Sequence, residues 1–133
     1  AQSIQERKCF LCEANRPEIQ KGIQYGDKFE ILVNPFPILP FHFTIPRTAH
    51  VPQEILPYVD DMLSLAKDLD EFIILYNGPS CGASAPDHMH FQAAEKGHLP
   101  IEKEFEELKI SQSKSMLSLS DGECYSIQHY LRS

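Results

Sequence analysis

The chain has 133 residues, 42% of them hydrophobic and 23% charged, a size that fits one hydrophobic core and leaves little room for a second. Twelve Lys and Arg against nineteen Asp and Glu give a net charge of −7, which argues against a broad basic face for nucleic acid, so any bound phosphate needs a local, concave site. No apolar run approaches the roughly 20 residues of a membrane-spanning helix, and residues 1–8, AQSIQERK, lack the apolar stretch of a secretory signal. The expectation is a cytoplasmic protein with neither a nucleic-acid nor a membrane partner.

Residues 9–12, Cys-Phe-Leu-Cys, bring two of the four cysteines close together. Four unevenly spaced cysteines do not make a disulfide framework, so this pair suggests metal or redox chemistry. Cys81 and Cys124 read as ordinary small or buried residues. Residues 28–33 alternate well enough for a strand, and Asn34-Pro35-Phe36-Pro37-Ile38-Leu39-Pro40 then denies the backbone both helix and ladder hydrogen bonds. In residues 41–46, Phe41, Phe43 and Ile45 alternate with His42 and Thr44, which predicts a second strand paired with the first in a hairpin-like unit. From 53 to 70, Ile55, Leu56, Val59, Met62, Leu63, Ala66 and Leu69 recur at helical spacing, with Pro57 tolerable only in the first turn.

Residues 72–76 are a continuous apolar run of strand length, and 77–86 form a loop of small residues that lets backbone approach a ligand closely. Another strand is predicted at 87–94, a charged segment follows at 101–109 whose acidic run 102–107 reads as a solvated helix face, and two weak strands come at 116–119 and 125–131. This order predicts an α+β fold: an antiparallel β-sheet with one or two packed helices.

The sharpest feature is His88-Met89-His90-Phe91-Gln92. On a strand, His88, His90 and Gln92 share one face while Met89, Phe91 and Ala93 share the other. Two histidines alone suit a solvated strand face equally well. The loop in front adds Gly78, Gly82 and Ser84, whose backbone N–H groups and hydroxyl suit phosphate oxygens.

Together these segments resemble the histidine-triad-like nucleotidyl transferases, which include galactose-1-phosphate uridylyltransferase, diadenosine tetraphosphate phosphorylase and the GDP-hexose phosphorylases. His88-x-His90-x-Gln92 is similar to their active-site strand, and Asn77 lies eleven residues before His88 with Gly82 and Ser84 between them, as in the uridylyltransferase loop. Residues 41–50 look like the strand-and-histidine segment of histidine-triad proteins, with an extra residue before His50. Asn34, eight residues ahead of His42, falls where those proteins hold the nucleotide ribose. Cys9 to Cys12 looks like the zinc knuckle of the uridylyltransferases. Several motifs in the correct order are more specific than any one of them. The Phe91-Gln92-Ala93 ending leans toward the GDP-hexose phosphorylase branch and toward uncharacterised bacterial relatives.

The resemblance implies a histidine-triad-like fold, either as one domain over residues 1–133 or as one half of a longer two-half protein. It implies an enzyme, a nucleotidyltransferase or phosphorylase acting on a nucleoside diphosphate sugar with phosphate or a sugar phosphate as partner substrate. His90 would be the nucleophile that forms a nucleotidyl-histidine. Gln92 would donate its amide to a phosphate oxygen, and Asn34, Asn77, Gly82 and Ser84 would bind substrate. Cys9, Cys12, His50 and His88 would hold a structural Zn²⁺, two thiolates and two imidazoles completing a closed tetrahedral site. A redox role for the cysteine pair lacks a thioredoxin-like context.

His42 is expected to be a hydrogen-bonded structural residue, and Arg47 and Lys96 are candidate cations that the sequence does not place. A homodimer is expected because a unit of this type commonly pairs to complete its sites. The alternatives are a dinucleoside polyphosphate phosphorylase or hydrolase, and a non-catalytic, zinc-stabilised nucleotide-binding module.

Overall fold

The computed structural model describes residues 6–110. The late strands expected at 116–119 and 125–131, and Cys124, lie outside them. Five strands form one antiparallel sheet: β1 (Gly22–Tyr25), β2 (Phe29–Val33), β3 (Phe43–Pro46), β4 (Phe72–Leu75) and β5 (His90–Glu95), in the order β1-β2-β3-β5-β4. With the helices α1 (Val59–Asp68) and α2 (Pro100–Ile110) the architecture is α+β, as the order of elements predicts. Among the described residues no helix is long and apolar enough to cross a membrane.

The strands at 28–33 and 41–46 do pair antiparallel, with Leu32 opposite Thr44 and Val33 opposite Phe43. The proline-rich segment between them is a loop closed at its base by the Asn34 N–H donating to the His42 carbonyl at 3.0 Å. It returns to the sheet through Phe41, whose φ of 47° lies in the left-handed region. Strand β1 has no counterpart in the sequence reading. Its four residues alternate weakly, and the ladder to β2 together with a turn at Gly26 (φ 59°) holds them extended, so tertiary pairing overrides local preference.

The helical pattern over 53–70 resolves into two pieces. Leu56–Tyr58 is a single 3₁₀ turn that contains Pro57, where a missing N–H costs nothing, and α1 follows directly. Asp60 and Asp61 in its first turn and Lys67 in its last complement the helix dipole. Glu102 begins α2 by accepting the N–H groups of Gly97 and Leu99 at 2.9 and 3.0 Å, a carboxylate satisfying donors at the helix start.

One face of the sheet is apolar. Phe29, Ile45, Ile74, Phe91 and Ala93 meet Met62 and Leu65 of α1 in the main core. The rings of Phe29 and Phe91 lie 5.7 Å apart, and Tyr58 meets Phe29 edge-on at 6.1 Å. Each such side chain contributes roughly 1.5–3 kcal/mol on burial, so a one-residue slip of β5, which would turn His90 and Gln92 into this layer, is strongly disfavoured. The register therefore commits the other face to polar work: Thr44 opposes Gln92, and Pro46 opposes His90. A second, small core of Cys9, Leu11 and Ala85 docks the N-terminal knuckle onto the loop that precedes β5.

Candidate active site and metal centre

The strand predicted at 87–94 begins only at His90. Upstream, the His88 N–H turns back to the Ala85 carbonyl at 3.2 Å, so His88 sits in a turn rather than in the ladder. Its ring is thereby directed to the knuckle. His88 Nδ1 lies 3.3 Å from Cys9 Sγ, 3.6 Å from Cys12 Sγ and 3.2 Å from His50 Nδ1, while Cys12 Sγ lies 3.2 Å from His50 Nδ1. All four ligand atoms fall within 4.8 Å of one another. A tetrahedron built on Zn–N and Zn–S bonds of about 2.0 and 2.3 Å has edges of about 3.3–3.8 Å, so the donor set has the spacing to hold a metal ion.

The outer contacts suit that role. His88 Nε2–H donates to the Arg47 carbonyl at 2.7 Å, which leaves the Nδ1 lone pair for the cluster, and His50 Nε2 faces Asp87 Oδ2 at 3.8 Å. Burial lowers the pKa of His88 below its ordinary value, partly opposed by the Arg47 carbonyl, and burial together with the adjacent Cys9 raises that of the Cys12 thiol. The knuckle itself is tied by the Asn15 side chain, which donates to the Cys9 carbonyl at 3.0 Å.

His90 is buried, and its Nδ1 lies 2.8 Å from the His88 carbonyl. A carbonyl only accepts, so the proton resides on Nδ1, and Nε2 keeps its lone pair. Burial lowers the His90 pKa, the carbonyl partly opposing it, which keeps the ring neutral. Its backbone is clamped by Gln53, a residue the sequence reading passed over. Gln53 Oε1 accepts the His90 N–H at 2.8 Å, and Gln53 Nε2 donates to the carbonyls of His90 and Asn77 at 3.1 and 2.9 Å. A glutamine at the start of a helical pattern looks solvated; only the fold buries it.

A cavity of about 510 Å³ lies over the polar face of the sheet, and His90, Gln92, Asn34 and Ser84 all line it, together with His42 and Arg7. His42 has the structural hydrogen bonds expected of it. The Ile38 N–H donates to His42 Nδ1 at 3.3 Å, so the ring proton sits on Nε2, which donates to Gln92 Oε1 at 2.6 Å. The Gln92 amide therefore turns its NH₂ group away from His42. Asn34 Oδ1 accepts the Phe36 N–H at 2.9 Å, and its NH₂ group lies 3.4 Å from His42 Nε2. No Asp or Glu side chain lines this cavity among the described residues.

Two of the anticipated substrate residues lie elsewhere. Asn77 and Gly82 do not line the cavity; the Asn77 carbonyl is engaged by Gln53, and Gly82 is an exposed loop residue with φ 81°. Neither Arg47 nor Lys96 reaches it. The Arg47 guanidinium lies over the Tyr58 ring at 5.3 Å, and Lys96 Nζ donates to the Asp70 carbonyl.

No curated protein sequence matches this chain. Among solved structures it is similar to a histidine triad protein from Clostridium difficile, with 16% sequence identity over 69% of this chain and 90% of that one, at a TM-score of 0.46. Residues 1–95 match the family model described as Domain of unknown function (DUF4922), and the chain belongs to that family.

Proposed function

We propose that the protein is a nucleotidyltransferase that passes a nucleotidyl group from a nucleoside diphosphate sugar to phosphate or a sugar phosphate through His90. The observation that carries this reading is the 2.8 Å contact between His90 Nδ1 and the His88 carbonyl, in a ring that lines the cavity. It makes Nε2 the nucleophilic nitrogen. In the first step Nε2 attacks the α-phosphorus; a P–N bond forms, the P–O bond to the sugar phosphate breaks, and that group leaves as an anion. The ring then carries positive charge, which the His88 carbonyl stabilises through the Nδ1 proton. In the second step an oxygen of the incoming phosphate attacks phosphorus, and the imidazole is restored.

The remaining residues position and neutralise. Gln92 offers N–H donors to a non-bridging phosphate oxygen, and Asn34 brings a second amide to the cavity lining. Gln92 has no proton to give to a leaving group, which favours transfer to phosphate over hydrolysis. Cys9, Cys12, His50 and His88 would hold zinc, whose chemistry here is structural: a closed site that ties the knuckle to the start of β5.

The test is covalent labelling. Incubation with GDP-sugar or UDP-sugar radiolabelled at the α-phosphate should yield an acid-labile protein label that a His90→Ala protein does not acquire. Absence of label with every nucleoside diphosphate sugar would leave a non-catalytic binding module as the better account.

A further inference from the structure

A cavity built for a polyanion in a chain of net charge −7 needs a cation, and the sequence does not place one. We infer that Arg7 supplies it, as a binding residue for the phosphate groups of the ligand. This rests on the nucleotide reading of the cavity and extends it to a residue outside every motif discussed above.

Four observations converge. Among the described residues Arg7 is the single Lys or Arg that lines the cavity, which Ser84, His90 and Gln92 also line. Its guanidinium is held in place without being used up: Nη2 donates to the Ser84 carbonyl, the plane lies 5.4 Å from the Phe10 ring centre, and Nε is buried with no hydrogen-bond partner. Asp87 does not close on it. Its Oδ1 stands 3.8 Å from Nη2, beyond hydrogen-bond reach, and is itself buried with no hydrogen-bond partner. Finally, the other described arginines are committed elsewhere, Arg16 to Glu30 at 2.7 Å and Arg47 to the Tyr58 ring.

Position in the chain explains how Arg7 comes to be there. It lies two residues before Cys9, so docking of the knuckle carries it to the cavity mouth. Asp87 spans the two centres: one oxygen faces Arg7 and the other faces His50 Nε2, each at 3.8 Å. A planar guanidinium fork against phosphate gains two parallel charge-assisted hydrogen bonds, which neither the Ser84 carbonyl nor the distant Asp87 offers.

The experiment is calorimetric titration of the full chain with inorganic diphosphate, GMP and guanosine, for the wild type, Arg7→Gln and Arg7→Lys. Arg7→Gln should weaken diphosphate about 10- to 100-fold, the usual loss for a charged hydrogen-bonded pair, and leave any guanosine affinity unchanged; Arg7→Lys should fall between. An equal loss for GMP assigns Arg7 to the nucleotide's own phosphate, and a loss confined to diphosphate assigns it to a free phosphate co-substrate.

A second measurement needs no variant. Diphosphate should protect Arg7 from phenylglyoxal modification, mapped by mass spectrometry. Unchanged diphosphate affinity in Arg7→Gln, absence of diphosphate binding by the wild type, or unprotected Arg7 would overturn the inference. These readouts measure binding, so they stand even where no label forms on His90.

Discussion

His42 Nε2 and Gln92 Oε1, fifty residues apart in sequence, lie 2.6 Å from each other, and the direction of that hydrogen bond is set by the Ile38 N–H on the other ring nitrogen. Replacing His42 by Ala should strand the Ile38 N–H and Gln92 Oε1 and cost about 1–3 kcal/mol of stability, read from the denaturant midpoint. It should also release the Gln92 amide to rotate, so the proposed labelling of His90 should slow although His90 itself is unchanged. A Gln92 amide that no longer depends on His42 would show as an unchanged labelling rate.

Gln53 fixes the backbone of His90. It is 2% exposed, and its side chain makes three hydrogen bonds, two of them to His90. Gln53→Ala should cost about 1–3 kcal/mol in chemical denaturation, the usual penalty for buried groups left unpaired. Gln53→Glu should cost more, because a carboxylate cannot donate to the carbonyls of His90 and Asn77 and would be buried with a charge. Equal stability of the glutamate variant and the parent would contradict the donor assignment.

The proposed zinc site predicts one equivalent of zinc in freshly purified, chelator-free protein, measured by elemental analysis. Where free zinc exceeds its dissociation constant a thousandfold, binding adds about 4 kcal/mol to folding, so chelation should lower the melting temperature and added zinc should restore it. Cys9→Ser should abolish the stoichiometric metal, because Cys9 Sγ sits 3.3 Å from His88 Nδ1 inside the small core with Leu11 and Ala85. A Cys9→Ser protein with full metal content would remove the site from the account.

Tyr25 offers a test of the fold away from the cavity. Its hydroxyl donates to Asp68 Oδ2 at 2.7 Å, tying β1 to the end of α1, and burial followed by that bond pushes its pKa up to about 12 from the ordinary value of 10. The folded state therefore favours the neutral phenol. The stabilisation is complete below pH 10 and is lost as pH rises through about 12. Tyr25→Phe should accordingly lose less stability than the wild type over that interval. An identical alkaline decline in both proteins would show that the Tyr25–Asp68 contact contributes nothing.

The alternation in β2, β3 and β5 and the helical period before Asp70 were legible in sequence because each is a local pattern of burial, set by which face of an element meets the core. The same logic placed His90 and Gln92 on one face. It misjudged where β5 starts, because a turn at Ala85–His88 is stabilised by the docked knuckle, and it missed β1, which has pairing but little pattern.

What the sequence by itself determined is the inventory: a cysteine pair, two spaced histidines, an amide beyond them, a loop of small residues, and an apolar face that pins the register. Only the tertiary structure decided how these divide into two centres. His88 turns its ring to Cys9 and Cys12, more than seventy residues away, while His90, two residues on, turns to a cavity whose wall includes Arg7. The reason is physical. Period and propensity record what lies within a few residues along the chain, whereas metal spacing, ring tautomers and a cation's position depend on distant segments being packed together, and no local pattern encodes them.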